Sequence, residues 1–420
     1  MSNIDWSSVA RKLALSLAKY EFYDGSFNYP DFESSKIASS LPHTRVGWGR
    51  RAVDMRSNKT KFDKFENDTI GLNETFDYYH ARQAFNKIKS DIAVCGVGFL
   101  ALAGDRVMPF TALEATGTYD WREQNLKDGI AVFQKNTKKS ASSQITPDSY
   151  MEFSAAETAS YQDGKLSTVK NVTGRPLMTL LTYNATTKQP FGRSVISRTA
   201  RDAIVSASRT VRQAEIAGYH YNTKIDVILG TDSETSIDTM PTKTGDIVKL
   251  GVNGNGQIPQ IGEFAQHAMA PFNDTLLMHA KNFCADTKLS LANLGVAQNA
   301  PQSPEALEIV GDDLRDDIQD WQDELSEQLK YFAVTLWMNK NNVSQIDDNL
   351  RAKIDTINVA WLPVFKPDIS KFGDGLNKIA ADAPDIVKAR SIWRSAGLSS
   401  DEIDIVIASA LANQTTNPQS

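Results

Sequence analysis

The chain has 420 residues, enough to bury a substantial core, and this length predicts two or more domains or layers. Hydrophobic residues make up 41% of the chain and charged residues 23%, which is ordinary for a soluble globular protein. The formal net charge of -6 argues against a protein that coats nucleic acid with a basic surface. It does not exclude a protein through which DNA passes without being tightly bound.

Two further features bear on the cellular compartment. Cys95 and Cys284 are the two cysteines, and this number predicts free thiols in a reducing compartment rather than a disulfide framework. The N-terminal segment contains acidic residues and a tryptophan where a signal peptide would have an apolar core. The longest apolar run, from Ile92 to Ala103, is too short to span a membrane. We therefore expect a soluble cytosolic protein without a membrane segment.

Three helices are predicted in the first part of the chain, at residues 4–22, 50–65 and 73–89, because apolar residues recur there at helical spacing. The second helix is basic. Acidic residues interleave with its lysines and arginines, so we expect salt bridges at an interface rather than contacts with phosphate. The glycine-punctuated apolar run that follows lacks the G-x-G-x-x-G pattern of a nucleotide loop, and it is predicted as a packed helix or strand.

The middle of the chain changes to short alternating segments separated by turn signals, which predict a β-rich module from Val107 to Tyr183. Because this module is set among helices, the predicted fold class is α+β. A helix is then expected from Gly192 to about residue 218, followed by a glycine-rich excursion and a returning helix at about 266–291. Beyond residue 340 the patterns predict a helix at 343–354, a β-like stretch at 357–365, and helices at 374–381, 384–396 and 399–412.

The longest helical pattern follows the returning helix and is predicted to begin with Ser303 as N-cap and Pro304 in the first turn. It continues for roughly 35 residues, or about 50 Å. The side opposite its apolar stripe is acidic and includes Asp312, Asp316, Asp323 and Glu327. Two interpretations stay open at this point: an ordinary solvated face, or a face that lines something.

The sequence carries none of the common catalytic motifs. The sequence lacks a phosphate loop, an H-E-x-x-H pair, a G-x-S-x-G elbow and a Cys-x-x-Cys pair, and its five histidines never fall at metal-ligand spacing. The acidic cluster at 312–327 could attract Mg²⁺ as a metal-dependent nuclease would, but successive carboxylates on one helix splay around it. We therefore expect no enzyme, no cofactor and no metal site, with that nuclease as the enzymatic alternative.

The order of these elements resembles the portal proteins of tailed bacteriophages, also known as head-to-tail connectors, and in particular the siphophage-type family. Shared motifs are YEFYDG at 20–25, WGRRAVD at 48–54, Gly192-Arg193-Ser194, Leu294-Gly295, NAPQSPEAL at 299–307 and Gly397-Leu398-Ser399. The resemblance covers nearly the whole chain. The chain departs from the family ahead of Leu294-Gly295, because it has Lys288 and Ser290 where family members usually have a glycine and a proline.

This resemblance implies the portal fold, with a wing, a stem, a clip and a crown. In chain order it implies a wing at 1–190 with a β-rich module, a stem helix at 191–218, a clip at 219–263, a second stem helix at 264–290, a tunnel loop at 291–303, a long wing helix at 304–340, and a crown with C-terminal tail at 341–420. The tunnel-loop residues expected at the DNA channel are polar and uncharged: Gln298, Asn299, Gln302 and Ser303.

The resemblance also implies a structural protein of the virion that is assembled in the host cytoplasm as a ring at one capsid vertex, typically of twelve subunits. Double-stranded DNA would pass through the ring non-specifically during packaging and ejection. The implied partners are terminase, the major capsid and scaffold proteins, and the head-completion adaptor proteins. An acidic face repeated around such a ring would repel the DNA backbone and keep it central. The non-enzymatic alternative is another capsid-assembly or adaptor protein without a DNA channel.

Overall fold

The computed structural model describes residues 16–30, 43–134, 149–162, 165–221, 226–229, 260–263, 269–296, 311–364, 369–382 and 389–415. Helices and strands are both abundant there and occupy separate stretches of the chain, which confirms the α+β class. The chain divides into two compact units. The first comprises 1–28, 47–202 and 282–420, and the second comprises 29–46 and 203–281.

The first unit begins with helical residues 16–24 and then helix α1 (Trp48–Ser57). The predicted helix at 50–65 is wrong in its second half, because strand β1 (Phe62–Glu66) follows α1 and pairs antiparallel with β12 (Asn358–Trp361). Phe62 and Phe65 are buried and both pack against Phe76. Burial of these two rings outweighs the local helical pattern.

The predicted helix at 73–89 is two helices, α2 (Leu72–Tyr78) and α3 (Ala81–Cys95). His80, between them, has a φ of 57°, a left-handed conformation that interrupts the helix. Helix α3 ends at Gly96, and strand β2 (Val97–Ala103) follows directly. The glycine-punctuated apolar run therefore contains the end of a helix and a buried strand.

Strand β2 is the centre of a three-stranded antiparallel sheet, between β3 (Arg106–Thr111) and β9 (Met178–Thr182). A second, five-stranded antiparallel sheet accounts for the predicted β-rich module. Its strands follow the chain order, with β4 and β8 at the edges: β4 (Ala115–Asp120), β5 (Asn125–Gln134), β6 (Ser149–Phe153), β7 (Glu157–Gln162) and β8 (Lys165–Lys170).

The prediction that Gly192-Arg193-Ser194 opens a helix is wrong. This segment instead caps the C-terminal end of helix α3. The Val195 amide donates to the Ala93 carbonyl (3.0 Å) and the Ser194 hydroxyl donates to the Val94 carbonyl (2.6 Å), both in the last turn of α3. These carbonyls would otherwise lack partners at the helix end. Helix α4 (Arg198–Tyr221) begins only after this cap.

The second unit contains most of α4, the antiparallel pair β10 (Asp226–Leu229) and β11 (Gln260–Glu263), and the first part of helix α5 (Ala270–Thr287). Residues 43–46 are attached to α4 within this unit. The Thr44 hydroxyl donates to the Glu215 carboxylate (2.5 Å), and the Val46 amide donates to the Ser208 hydroxyl (3.2 Å). The predicted order of helix, β excursion and returning helix is therefore present.

Helix α6 (Asp312–Lys340) is the longest described helix, with 29 residues. Its apolar stripe from Leu314 to Leu336 is buried and packs against α2, β9 and β12. The described helix follows Gly311 as N-cap, and the predicted start at Ser303 and Pro304 lies outside the described residues. The apolar pattern therefore predicted the buried side of α6.

In the described C-terminal part of the first unit, strand β12 is accompanied by four helices: α7 (Asp348–Asp355), α8 (Ile369–Asp382), α9 (Arg390–Ser395) and α10 (Ser400–Thr415). Helix α10 follows Ser399, whose hydroxyl and amide both donate to the Glu402 carboxylate. Lys64 of β1 binds Asp401 (2.7 Å) and Asp404 (3.2 Å) of α10. The salt-bridge interpretation of the basic segment is thus confirmed at Lys64.

Candidate functional site on the long helix

Helix α6 presents its acidic side to solvent. The four carboxylates predicted on this side are all exposed: Asp312, Asp316, Asp323 and Glu327. Arg315 lies 3.1 Å from Asp312, and the other three have no ion-pair partner among the described residues. The exposed face of the first four turns therefore carries a strongly negative charge.

Asp317 is the exception among these acids, because it points into the protein. Its Oδ2 accepts hydrogen bonds from Arg56 Nε (2.7 Å) and the Tyr183 hydroxyl (2.7 Å), and its Oδ1 accepts one from Lys288 Nζ (2.8 Å). Arg56 is only 2% exposed, so this is a buried ion pair with an additional cation at its rim. Each carboxylate oxygen is satisfied, as a buried charge requires.

Two opposed effects set the pKa of Asp317. Burial by itself would raise it, but attraction to the Arg56 guanidinium and the hydrogen bonds from Lys288, Tyr183 and Arg56 outweigh burial and hold the pKa below its usual value. Burial also raises the pKa of Tyr183, so its phenol keeps the proton that it donates to Asp317. The cluster therefore stays a charged pair with a neutral phenol at neutral pH.

Arg56 connects this cluster to the end of helix α5. One of its terminal nitrogens donates to the Thr287 carbonyl (2.6 Å), the last residue of α5, and the other donates to the Ala52 carbonyl (3.0 Å) in its own helix. Lys288, which follows Thr287, has a φ of 53°, and its side chain binds Asp317. Arg56 and Asp317 thus hold the end of α5 against the second turn of α6.

This cluster lies on either side of the segment that the sequence predicts as the tunnel loop, with Lys288 before it and Asp317 after it. On the incoming side, Arg51 Nε donates to the Asn293 carbonyl (2.8 Å), and a short 3₁₀ turn (Ala292–Leu294) ends at Gly295. The predicted channel residues Gln298, Asn299, Gln302 and Ser303 lie outside the described residues. The structure therefore shows how the chain is held up to Val296, and the placement of the four candidate residues stays a prediction.

The described part of the chain offers little reactive chemistry. No group of three or more His, Cys, Asp or Glu side chains there could hold a metal ion, and none of its helices is long and apolar enough to cross a membrane. Cys95 and Cys284 are free and buried, and burial raises the pKa of each thiol to about 11. Both thiols are protonated at neutral pH and are poor nucleophiles.

Sequence reasoning placed Asp317 in the acidic cluster and missed its role. The signal was available, because Asp317 follows Leu314 by three positions and so falls on the buried side of the helix. Its partners gave no such signal. Arg56 is 261 positions away and Tyr183 is 134 positions away, and no local pattern relates residues at those separations.

No protein-family model matches this sequence, and no curated protein sequence matches it. Three similar solved structures come from gene transfer agent (GTA) particles. In the virion of the native particle, the match has 10% identity and a TM-score of 0.42, and covers 76% of this chain and 86% of that chain.

The other two are neck structures. The neck of the native particle, computed with C12 symmetry, matches at 11% identity and a TM-score of 0.45. The neck of the empty particle, computed with C6 symmetry, matches at 10% identity and a TM-score of 0.45. Both matches cover 92% of this chain and 97% of the other. At these identities and TM-scores the likenesses assign no function to this chain.

Proposed function

We propose that this chain is a portal protein: a structural subunit that forms a ring at one vertex of a phage-type capsid and surrounds the channel for DNA. The order of elements carries this proposal. Helix α4, the β10–β11 pair and helix α5 form a helix–excursion–helix unit, and the short turn at Ala292–Leu294 then leads toward the long helix α6. This is the order that the resemblance to portal proteins predicts.

The proposed parts follow this order along the chain. Helix α5 falls in the stem range 264–290, and α4 falls in the stem range 191–218 except for its last three residues. Strands β10 and β11 fall in the clip range 219–263. Residues 291–303 are the proposed tunnel loop, and α6 falls in the long wing helix at 304–340. The three-stranded and five-stranded sheets of the first unit fall in the wing range 1–190, and β1 of that range pairs with β12 of the crown range.

The proposed contact with DNA is made by the tunnel loop through Gln298, Asn299, Gln302 and Ser303. Polar uncharged side chains can touch phosphates without the counterion release that makes cationic surfaces bind DNA tightly. The acidic side of α6 has two possible places in the ring, the channel wall or the surface toward neighbouring subunits. In the first place it would repel DNA and keep the duplex central.

The proposal also assigns partners. Terminase would dock on the ring during packaging and head-completion proteins would replace it afterwards, while capsid and scaffold proteins would surround the ring. A DNA-packaging assay tests this assignment. Capsids assembled with this chain, terminase and ATP are expected to protect full-length DNA from nuclease, and capsids assembled without the chain are expected to protect none. Equal protection in both would overturn the proposal and favour an assembly protein without a channel.

A further inference from the structure

A groove of about 830 Å³ opens in the first unit between the β4–β5 turn, the end of β9 and helix α6. The side chains from α6 are Glu324, Glu327, Gln328 and Tyr331, which share one side of the helix because they recur every three to four residues. Across from them lie Tyr119 and Trp121. Of the residues that line this groove, Glu327 also belongs to the acidic side of α6 described above.

All charged side chains that line this groove are acidic. Glu123, Glu324 and Glu327 line it together with the rings of Tyr119, Trp121 and Tyr331, and no Lys, Arg or His is among the described residues that line it. Glu324 is already engaged, because it accepts hydrogen bonds from the Asn184 amide (2.9 Å), the Ala185 amide and the Thr182 hydroxyl. The Glu327 carboxylate has no such partner among the described residues.

Trp121 is unusually open for its size. The residue is 61% exposed, and its indole makes an edge-on contact with Tyr119, with ring centroids 5.0 Å apart. Burial raises the pKa of Tyr119, and the nearby negative charges of Glu324 and Asp120 raise it further. The rings of the groove therefore stand in a negative field, which favours a cation over their faces.

An arginine of the chain itself lies against two of the residues that line the groove. The Arg175 guanidinium lies 4.6 Å from the centroid of the Tyr331 ring and 3.9 Å from Glu123 Oε2. Arg175 reaches this position from the neighbouring cavity and is not part of the groove lining. A carboxylate and an aromatic ring of the groove wall thus already bind an arginine from behind. Glu327 and Trp121, which also line the groove, are the same two kinds of group.

We propose that this groove binds an arginine side chain from a basic segment of a protein partner. The guanidinium would stack on Trp121 and Tyr119 and pair with Glu327, because a planar cation fits both an aromatic face and a carboxylate. Nucleic acid is excluded as the occupant, since its phosphates would meet three carboxylates and no cation. The proposal does not depend on ring formation.

The test uses a fluorescently labelled peptide with two arginines separated by glycines, and anisotropy measured on the purified full chain at physiological salt. The same peptide with citrulline in place of arginine keeps the shape and removes the charge. We expect binding of the arginine peptide and no detectable binding of the citrulline peptide. Equal binding of the two peptides, or no binding of either, would overturn the proposal.

Two variants and one matched control locate the binding site. Glu327→Gln is expected to weaken binding by about three- to tenfold, and Trp121→Ala by at least as much. Asp313→Asn removes one exposed charge from the same helix, about 21 Å away along its axis and beyond the Debye length of about 8 Å. It is expected to leave binding unchanged. Equal losses in Glu327→Gln and Asp313→Asn would show non-specific attraction and overturn the assignment.

Discussion

At the scale of single residues, Asp317 distinguishes a buried charge from the exposed charges beside it. Asp317→Asn would leave Arg56 buried without its counter-charge, and losing one member of such a pair typically costs about 3–5 kcal/mol of unfolding free energy. Asp316→Asn, one position away and exposed, is the matched control and is expected within about 0.5 kcal/mol of wild type. Urea unfolding measures both, and equal effects would contradict the structural role of Asp317.

The same residue predicts a pH dependence. The pKa of Asp317 is held below its usual value by Arg56 and its other donors against the effect of burial. Its stabilising contribution is therefore complete above the unfolded pKa of about 3.9 and is lost as the pH falls through the lower folded pKa. The stability difference between wild type and Asp317→Asn should be constant from about pH 5 to 7 and shrink below about pH 4. A difference that stays constant as the pH falls further would contradict this linkage.

At the scale of elements, Gly192 lets the segment that caps α3 lie directly against the end of that helix. Its φ is 68°, and an added Cβ would lie 2.6 Å from the Tyr183 carbonyl oxygen and closer still to that of Gly96. Gly174 has a φ of 63° with no atom within 4 Å of an added Cβ, so Gly174→Ala isolates the conformational cost of about 1–2 kcal/mol. Gly192→Ala should lower the unfolding free energy clearly further. Equal losses in the two variants would show that the close approach at Gly192 carries no cost.

Element types followed from the sequence more readily than element ends. The stripe of α6 and the alternation of the five-stranded sheet are local patterns, and both predicted their elements. The helix prediction failed from Phe62 to Glu66 because the pairing partner of this strand, β12, lies almost 300 positions later, and no local pattern indicates it. The capping role of Ser194 was not predicted for the same reason, since the carbonyl that its hydroxyl binds lies at the end of another helix.

The candidate site was likewise predicted only in part from the sequence. The exposed side of α6 followed from periodicity, because residues opposite a buried stripe face solvent. The anchor formed by Arg56, Asp317 and Lys288 did not, because it joins three separate elements. Lys288 marked a departure from the portal pattern in sequence, and the structure gives it a physical role as the second cation on Asp317.

At the scale of the whole molecule, the acidic side of α6 can be tested within the proposed ring. Asp312, Asp316 and Asp323 are exposed and can be changed together to Asn without disturbing the buried stripe. If these carboxylates line the channel, DNA retention in packaged capsids should change, because repulsion of the phosphate backbone is reduced. Unchanged packaging and retention would assign them to an ordinary solvated surface, and the same nuclease-protection assay distinguishes the two.

The central claim is that this chain forms a ring, and the mass of the purified particle tests it most directly. Native mass spectrometry of the full chain is expected to show a closed oligomer with a mass near twelve times the 46.3 kDa of one chain. Negative-stain images of the same sample should show rings with a central hole. A single species of 46.3 kDa at concentrations where the chain is folded would contradict the account.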